Sequence, residues 1–233
     1  MEMTFHESYY DPTDWKRIEA KAIDRWYVGL DVGQSIDPSA ICALQHQIIP
    51  GNEWIRDYKN KITRQTKTER FLVRHLERLP LGMSYPAQIQ HVGSLLGREP
   101  LAGAMFALDY TGCGRPVADQ FERAGLRPQK ILITAGNEVT RHGGDTWHVP
   151  KSYLVSGLES RMHSGELKVA PELTESPVLK DELRDFGRKV SESGRVTYNA
   201  RSGAHDDLIL AICIALFMAL NRPTTTRAPF PVL

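Results

Sequence analysis

The stretch 26-WYVGLDVGQSIDPSAICALQ-45 decides how this chain is read. An apolar run climbs to one aspartate, Asp31. Gly33 and the turn-formers Ser35, Asp37 and Pro38 follow, and a second apolar run comes after them. Two such runs separated by turn chemistry read as strands over 27–31 and 39–45, the second returning antiparallel to the first. A carboxylate at the end of a buried strand is costly unless a cation lies against it. The rest of the chain has to supply that cation.

Working outward, Pro50 and Gly51 mark a further turn, and a third strand over 53–61 completes an antiparallel meander. Residues 67–79 have helical spacing, with Phe71, Leu72, His75, Leu76 and Leu79 on one side. A second helix is expected over 86–96. The run 103-GAMFALDY-110 reads as a buried strand that again ends in an aspartate. A helix over 115–124 and a strand over 130–134 then imply a right-handed parallel crossover. Residues 137–148, rich in Gly, His and Thr, read as a hairpin or loop. Beyond them the expectations are a helix over 151–164, a strand over 167–169, a helix over 178–192, a strand over 195–198 and a last helix from about 206 to 220. Antiparallel strands followed by alternating helices and strands make an α/β protein with a mixed sheet and helices on both faces.

Composition narrows the class without naming it. The chain has 233 residues, 41% hydrophobic and 24% charged, which suits one large domain or one domain with extensions. The expected division is a polar arm or short helix over 1–25, a domain over 26–222 and a tail over 223–233. The formal net charge of +1 gives no general signal for nucleic acid. Cys42, Cys113 and Cys213 are scattered and form no CxxC pair, so neither a zinc site nor a disulfide framework is suggested. The polar start, 1-MEMTFHESYYDPTDWKR-17, does not read as a secretory leader. The longest apolar run, Leu208 to Leu220, is thirteen residues, against the roughly 20 needed to span a bilayer.

Three acidic positions share an unusual setting. Asp31 ends one strand and Asp109 ends another, and Asp206 and Asp207 open the all-apolar final helix in 204-AHDDLILAICIAL-216. A helix that is apolar all round is buried, so its start should lie near the sheet, where functional sites of open α/β folds collect at strand ends. Each acid also has a plain structural reading: Asp206 as an N-cap, Asp109 before Thr-Gly as a turn residue, Asp31 with Gly33 as part of a phosphate loop. If the acids converge they repel one another, and a divalent cation removes the conflict. Oxygen ligands suit Mg²⁺ or Mn²⁺ over Zn²⁺. Two such ions can clamp the attacking and leaving oxygens of a phosphodiester. Gly33 would leave room nearby for a polyanion.

Taken together, "GLDVGQSIDPSAICAL", "ALDYTGCGRPVADQF", "VPKSYLVSGLESRMHSGELKVA" and "AHDDLILAICIAL" resemble the nuclease domain of tailed-bacteriophage terminase large subunits, a branch of the ribonuclease H-like superfamily. The resemblance runs in order from about Trp26 to Leu220. It implies a ribonuclease H-like mixed sheet and a two-metal endonuclease using Mg²⁺ or Mn²⁺. By this resemblance the metal-binding acids are Asp31, Asp109 and one or both of Asp206 and Asp207. It further implies cleavage of double-stranded DNA during phage genome packaging in the cytoplasm of an infected bacterium. The implied partners are DNA, a terminase ATPase domain, the small terminase subunit and the portal, with no membrane. One departure matters: no GxxxxGK[ST] phosphate loop occurs, so an excised nuclease domain or a separately encoded nuclease is expected.

Such an enzyme needs cations for phosphates. Residues 56–78 hold eight Lys/Arg against three acids, Lys59, Lys61 and Arg64 among them, which reads either as a DNA track or as a solvated face. Arg115 follows the second acid, and Lys151 opens a helix whose amides could add to anion binding. Arg141 and His142 lie in a loop that could clamp DNA. His205 abuts the acids as a phosphate contact, a proton shuttle or a cap. Three rival readings stand beside this one. "DVGQS" also resembles the first phosphate loop of actin-like ATPases and sugar kinases, though a second Asp-Gly loop and an adenosine motif are missing. A Holliday-junction resolvase uses a similar acid set. A non-catalytic DNA-binding or assembly module would have no need of all three acids.

Overall fold

Strict alternation in the opening stretch builds the centre of the sheet. Tyr27 packs on one face, and Val28, Leu30 and Val32 on the other. Asp31 therefore falls on the Tyr27 face. The computed structural model describes residues 15–33, 37–190, 196–200 and 205–221. Its elements run β1 (Lys16–Ile18), β2 (Ile23–Asp31), β3 (Ala40–Asp57), β4 (Ile62–Arg78), α1 (Tyr85–Leu96), β5 (Met105–Asp109), α2 (Gly114–Arg123), β6 (Gln129–Thr134), β7 (Thr140–His142), β8 (Thr146–Pro150), α3 (Lys151–His163), β9 (Leu167–Val169), α4 (Ser176–Asp185), β10 (Phe186–Val190), β11 (Val196–Ala200) and α5 (Asp207–Leu220). Nine strands form one sheet in the order β1-β4-β3-β2-β5-β6-β8-β7, with β9 also on β4, and β10 and β11 make a separate hairpin.

The sheet is mixed, as the sequence implied. β2 pairs antiparallel with β3 and parallel with β5, and β5 pairs parallel with β6. Helices cover both faces. α1 and α2 pack through Ile89, Val92, Val117, Ala118 and Phe121 on Val28, Leu30 and Leu108. On the other face lies α5, buried from Asp207 to Ala219, with α3 beside it through Leu154 and Leu158. No helix among the described residues is long and apolar enough to cross a membrane.

Three expectations are corrected. Residues 67–79 are strand, not helix. β4 pairs with β3 throughout, and a bulge places His75 opposite Ala43 but Val73 opposite Leu44, leaving Arg74 between them. The bulge shifts the alternation by one residue, so Phe71, Val73 and Leu76 all reach one core and the spacing mimics a helix. Pro50-Gly51 does not turn the chain either. β3 runs through it with a second irregularity between Pro50 and Trp54, where Gln65 Nε2 donates to Gly51 O (2.7 Å) and Thr66 Oγ1 to Glu53 O (3.0 Å). The helix expected over 178–192 stops at Asp185. Phe186 is already extended (ψ 108°), Gly187 is a poor helix former, and the chain pairs as β10 with β11. Of the arm expected over 1–25, residues 1–14 lie outside the described residues, as does the tail expected over 223–233; Lys16–Ile18 pairs with β4 and Ile23 onward belongs to β2.

Candidate active site

Two parallel strands and one helix bring the acids together. The β2–β5 register sets Leu30 beside Leu108, so Asp31 and Asp109 follow side by side at the same end of neighbouring strands. Both lie on the face that carries α5, because Tyr27 and Ala107, an even number of residues before them, pack there. Gly29 fixes the height of that helix. A Cβ at Gly29 would lie 2.3 Å from Ala211 O and 2.7 Å from Ala215 N, so the α5 backbone crosses directly over it. From Gly29, Asp31 is two residues along the strand. From Ala211, Asp207 is one helical turn back. The two displacements match, and the start of α5 is set over Asp31.

The consequence is a concentration of negative charge. The carboxyl of Asp31 is held well above the usual carboxylate range, first by burial and then by Asp109, Asp207 and Asp206, with Lys151 pulling the other way. Asp109 is also raised by burial, opposed by the Thr111 amide that donates to its Oδ1 (2.8 Å) and by Lys151. Lys151, the first residue of α3, reaches Asp206 Oδ2 at 2.7 Å. Asp207 is buried at 5% exposure, and its carboxyl is pushed up to about 6 by burial against the pull of Arg78 and His205.

The N-cap reading of Asp206 is half right. Asp206 stands at the N-cap position of α5, but its side chain caps nothing. The free amide of Ile209 in the first turn instead donates to Glu182 Oε2 (3.2 Å), a buried carboxylate on α4. Glu182 also takes a hydrogen bond from Arg78 Nη2, which stands 3.5 Å from Asp207 Oδ2. Arg78 lies in the same cross-strand row as the first acid, because β4 pairs Arg78 with Ala40 and β2 pairs Ala40 with Asp31. Sequence reasoning missed Glu182 altogether. It took Arg78 as one charge in a basic run and Asp37 as a turn residue. His205 Nδ1 in fact lies 3.3 Å from Asp37 Oδ1 and 3.8 Å from Asp207 Oδ2.

The remaining expected contacts scatter. Arg115 sits in the first turn of α2 with its guanidinium 5.6 Å from the ring of Tyr110, the residue after Asp109. Arg141 stacks on Trp147 at 4.9 Å and His142 on His148 at 4.2 Å, in the β7–β8 hairpin at the sheet edge. In that segment β8 runs parallel to β6 and extends the main sheet. Lys59 and Lys61 lie in the turn between β3 and β4, and Arg64 lies early in β4. About 50 Å of strand separates them from the Asp31 end, at ~3.3 Å per residue. Gly33 does not open space for a ligand: a Cβ there would lie 2.1 Å from Asp37 O, so the glycine closes the turn onto itself.

The donor set fits a divalent cation on two observations. The four aspartates offer oxygen ligands only, and Asp207 Oδ2 is a buried oxygen with no hydrogen-bond partner.

No protein-family model and no curated protein sequence matches the chain. Solved structures do. The large terminase nuclease of the thermophilic phage G20c with bound magnesium superposes with a TM-score of 0.55 at 19% identity, over 86% of this chain and 84% of that one. The same nuclease with bound cobalt gives 0.54 at 18%, over 87% and 92%. The large terminase nuclease domain of Thermus phage P74-26 gives 0.56 at 18%, over 86% and 82%. Identities this low speak to architecture, and the architecture is that of the phage large-terminase nucleases, a ribonuclease H-like fold.

Proposed function

We propose that this chain is a metal-dependent endonuclease that cleaves double-stranded DNA in the manner of a phage packaging nuclease. The observation that supports it best is the meeting of Asp31, Asp109, Asp206 and Asp207 at one end of β2 and β5. The nucleases of similar fold, one of them crystallised with magnesium and again with cobalt, support the same reading. Asp31 and Asp109 would hold one ion, and the Asp206-Asp207 pair would complete a two-ion centre. Such ions, when bound, neutralise the charge that develops on the attacking and leaving oxygens of a phosphodiester.

The chain's own residues would do the rest. The Thr111 amide fixes the Asp109 carboxylate, and Glu182 with Arg78 fixes the first turn of α5 and hence Asp207. Lys151 supplies positive charge beside the acids for phosphate oxygens, with Arg115 further out against Tyr110. The Arg141–His142 hairpin would meet the duplex further out, and the ribbon tip with Lys59, Lys61 and Arg64 further still. Backbone contacts of this kind carry no sequence information, so cleavage should be nearly sequence-independent. The assembly proposed around the chain is the terminase ATPase, the small subunit and the portal, in the cytoplasm of the infected cell.

The test is digestion of supercoiled plasmid with Mg²⁺, with Mn²⁺ and with excess EDTA. Cleavage should need the metal and vanish in Asp31→Asn. Undiminished cutting in EDTA would remove the reading, and a strict preference for four-way junctions would replace it with that of a resolvase.

A further inference from the structure

The acids at the head of α5 divide into two groups. Asp31, Asp109 and Asp206 face Lys151. Asp207, which also raises Asp31, stands against His205, Asp37 and the Arg78–Glu182 pair. One ligand atom from each of Asp37, His205 and Asp207 lies within 4.8 Å of the others. The His205 nitrogen is 3.3 Å from one carboxylate oxygen and 3.8 Å from the other. Two ligands bound about 2.1 Å from one ion are ~3.0 Å apart at right angles and ~3.4 Å apart in a tetrahedron. The cluster is therefore close to the dimensions of a coordination shell.

A second, separate observation points to a ligand. Asp207 Oδ2, the oxygen nearest His205, is buried and has no hydrogen-bond partner. Arg78 Nη2 forms an ion pair with it at 3.5 Å but donates its hydrogen bond to Glu182, so the Asp207 oxygen still lacks a hydrogen-bond donor. A buried carboxylate oxygen left without a donor is costly, and an ion bridging it to His205 and Asp37 would remove that cost.

We infer that Asp37, His205 and Asp207 form a mixed nitrogen–oxygen cation site at the edge of the carboxylate cluster, selective for a first-row transition ion such as Mn²⁺ over Mg²⁺. Imidazole is a softer donor than carboxylate and binds transition ions in preference to Mg²⁺, which favours all-oxygen surroundings. The two halves of the centre are thus unequal: an all-oxygen half at Asp31 and Asp109, and a half with one nitrogen at His205. The inference rests on the nuclease reading, because Asp207 belongs to both.

The test uses the full chain stripped of metal and loaded with Mn²⁺, read by calorimetry and by pulsed electron paramagnetic resonance. Wild type should show a nitrogen directly coordinated to Mn²⁺. His205 and Asp37 are both well exposed, so His205→Gln and Asp37→Asn should fold normally. His205→Gln should lose the nitrogen coupling, and both variants should bind Mn²⁺ at least about tenfold more weakly, a loss that even outer-shell changes produce. Binding of Mg²⁺ at the Asp31 half should change little. Wild-type Mn²⁺ with oxygen ligands alone, or a coupling that survives in His205→Gln, overturns the inference. If that oxygen-bound Mn²⁺ is lost in Asp31→Asn, the nuclease reading still stands. A chain that binds no Mn²⁺ and cuts no plasmid overturns both.

Discussion

At the scale of single residues, Asp31 carries a heavy electrostatic burden. It is buried, and three more carboxylates raise its proton affinity while one lysine lowers it. Asp31→Asn and Asp109→Asn should each abolish plasmid cleavage yet raise the melting temperature in EDTA, because each removes one member of a repelling set. Either variant cutting at near wild-type rate with Mg²⁺ would strike that residue from the site. Glu182 behaves in the opposite way. It accepts from Arg78 and from the Ile209 amide, so Glu182→Ala removes both acceptors, leaves Arg78 with Asp207 at 3.5 Å, and should cost about 1–3 kcal/mol in urea unfolding. An unchanged unfolding midpoint would show that Arg78 finds equal compensation elsewhere. The four aspartates were legible in the sequence because they stand where buried apolar runs end or begin. Glu182 was not, because in 179-LKDELRDF-186 it is one charge among several, and its partners lie 104 and 27 residues away.

Elements convert these residues into a site, and α5 is the element on which it depends. Its apolar sequence predicts burial, and it is buried along almost its whole length. The sequence does not reveal how deep the helix sits. Gly29 sets that depth by letting a helix backbone touch a strand backbone. Gly29→Ala would put a methyl group 2.3 Å from Ala211 O and push α5 off the sheet. The expected cost is about 1–3 kcal/mol for overpacking. Cleavage should fall more than stability does, because Asp206 and Asp207 move with the helix while Asp31 and Asp109 stay. A variant that loses stability but keeps full kcat would show that the acids tolerate a displaced helix. β4 teaches a related point: its bulge at Arg74 disguises a strand as a helix, since a period of two broken by one extra residue looks like 3.6 over a short window. Long-range pairing with β3 decided that segment, and no local pattern could reveal it.

At the scale of the whole molecule, the clustered acids tie folding to pH and to metal. Burial raises the carboxyls of Asp31 and Asp109, takes Asp207 to about 6, and takes Glu182 to about 7 against the pull of Arg78. In the unfolded chain these groups titrate near 4, so between about pH 4 and 7 the folded state holds more protons than the unfolded state. Stability must then fall as pH rises through that window. For Asp207 alone the shift from 3.8 to about 6 corresponds to a loss on the order of 3 kcal/mol. His46 opposes this: its pKa is lowered, first by burial, so its own contribution to stability grows as pH rises through the same range. Against burial, His46 and Lys67 hold Glu69 below its usual range and His91 and His75 do the same for Glu77, so both are ionised in both states above about pH 5. A single melting profile therefore mixes opposing signs, and the difference between profiles in Mg²⁺ and in EDTA separates them. Neither His46 nor the surface pairs touch the site, so their terms cancel in that difference. On the proposed reading Mg²⁺ would bind the ionised carboxylates of the folded state, and protons would compete with it at low pH. The metal-induced rise in melting temperature should be near zero at pH 5 and grow toward a plateau above pH 7. A rise that is constant across this range would mean that the ion binds away from Asp31, Asp109 and Asp207.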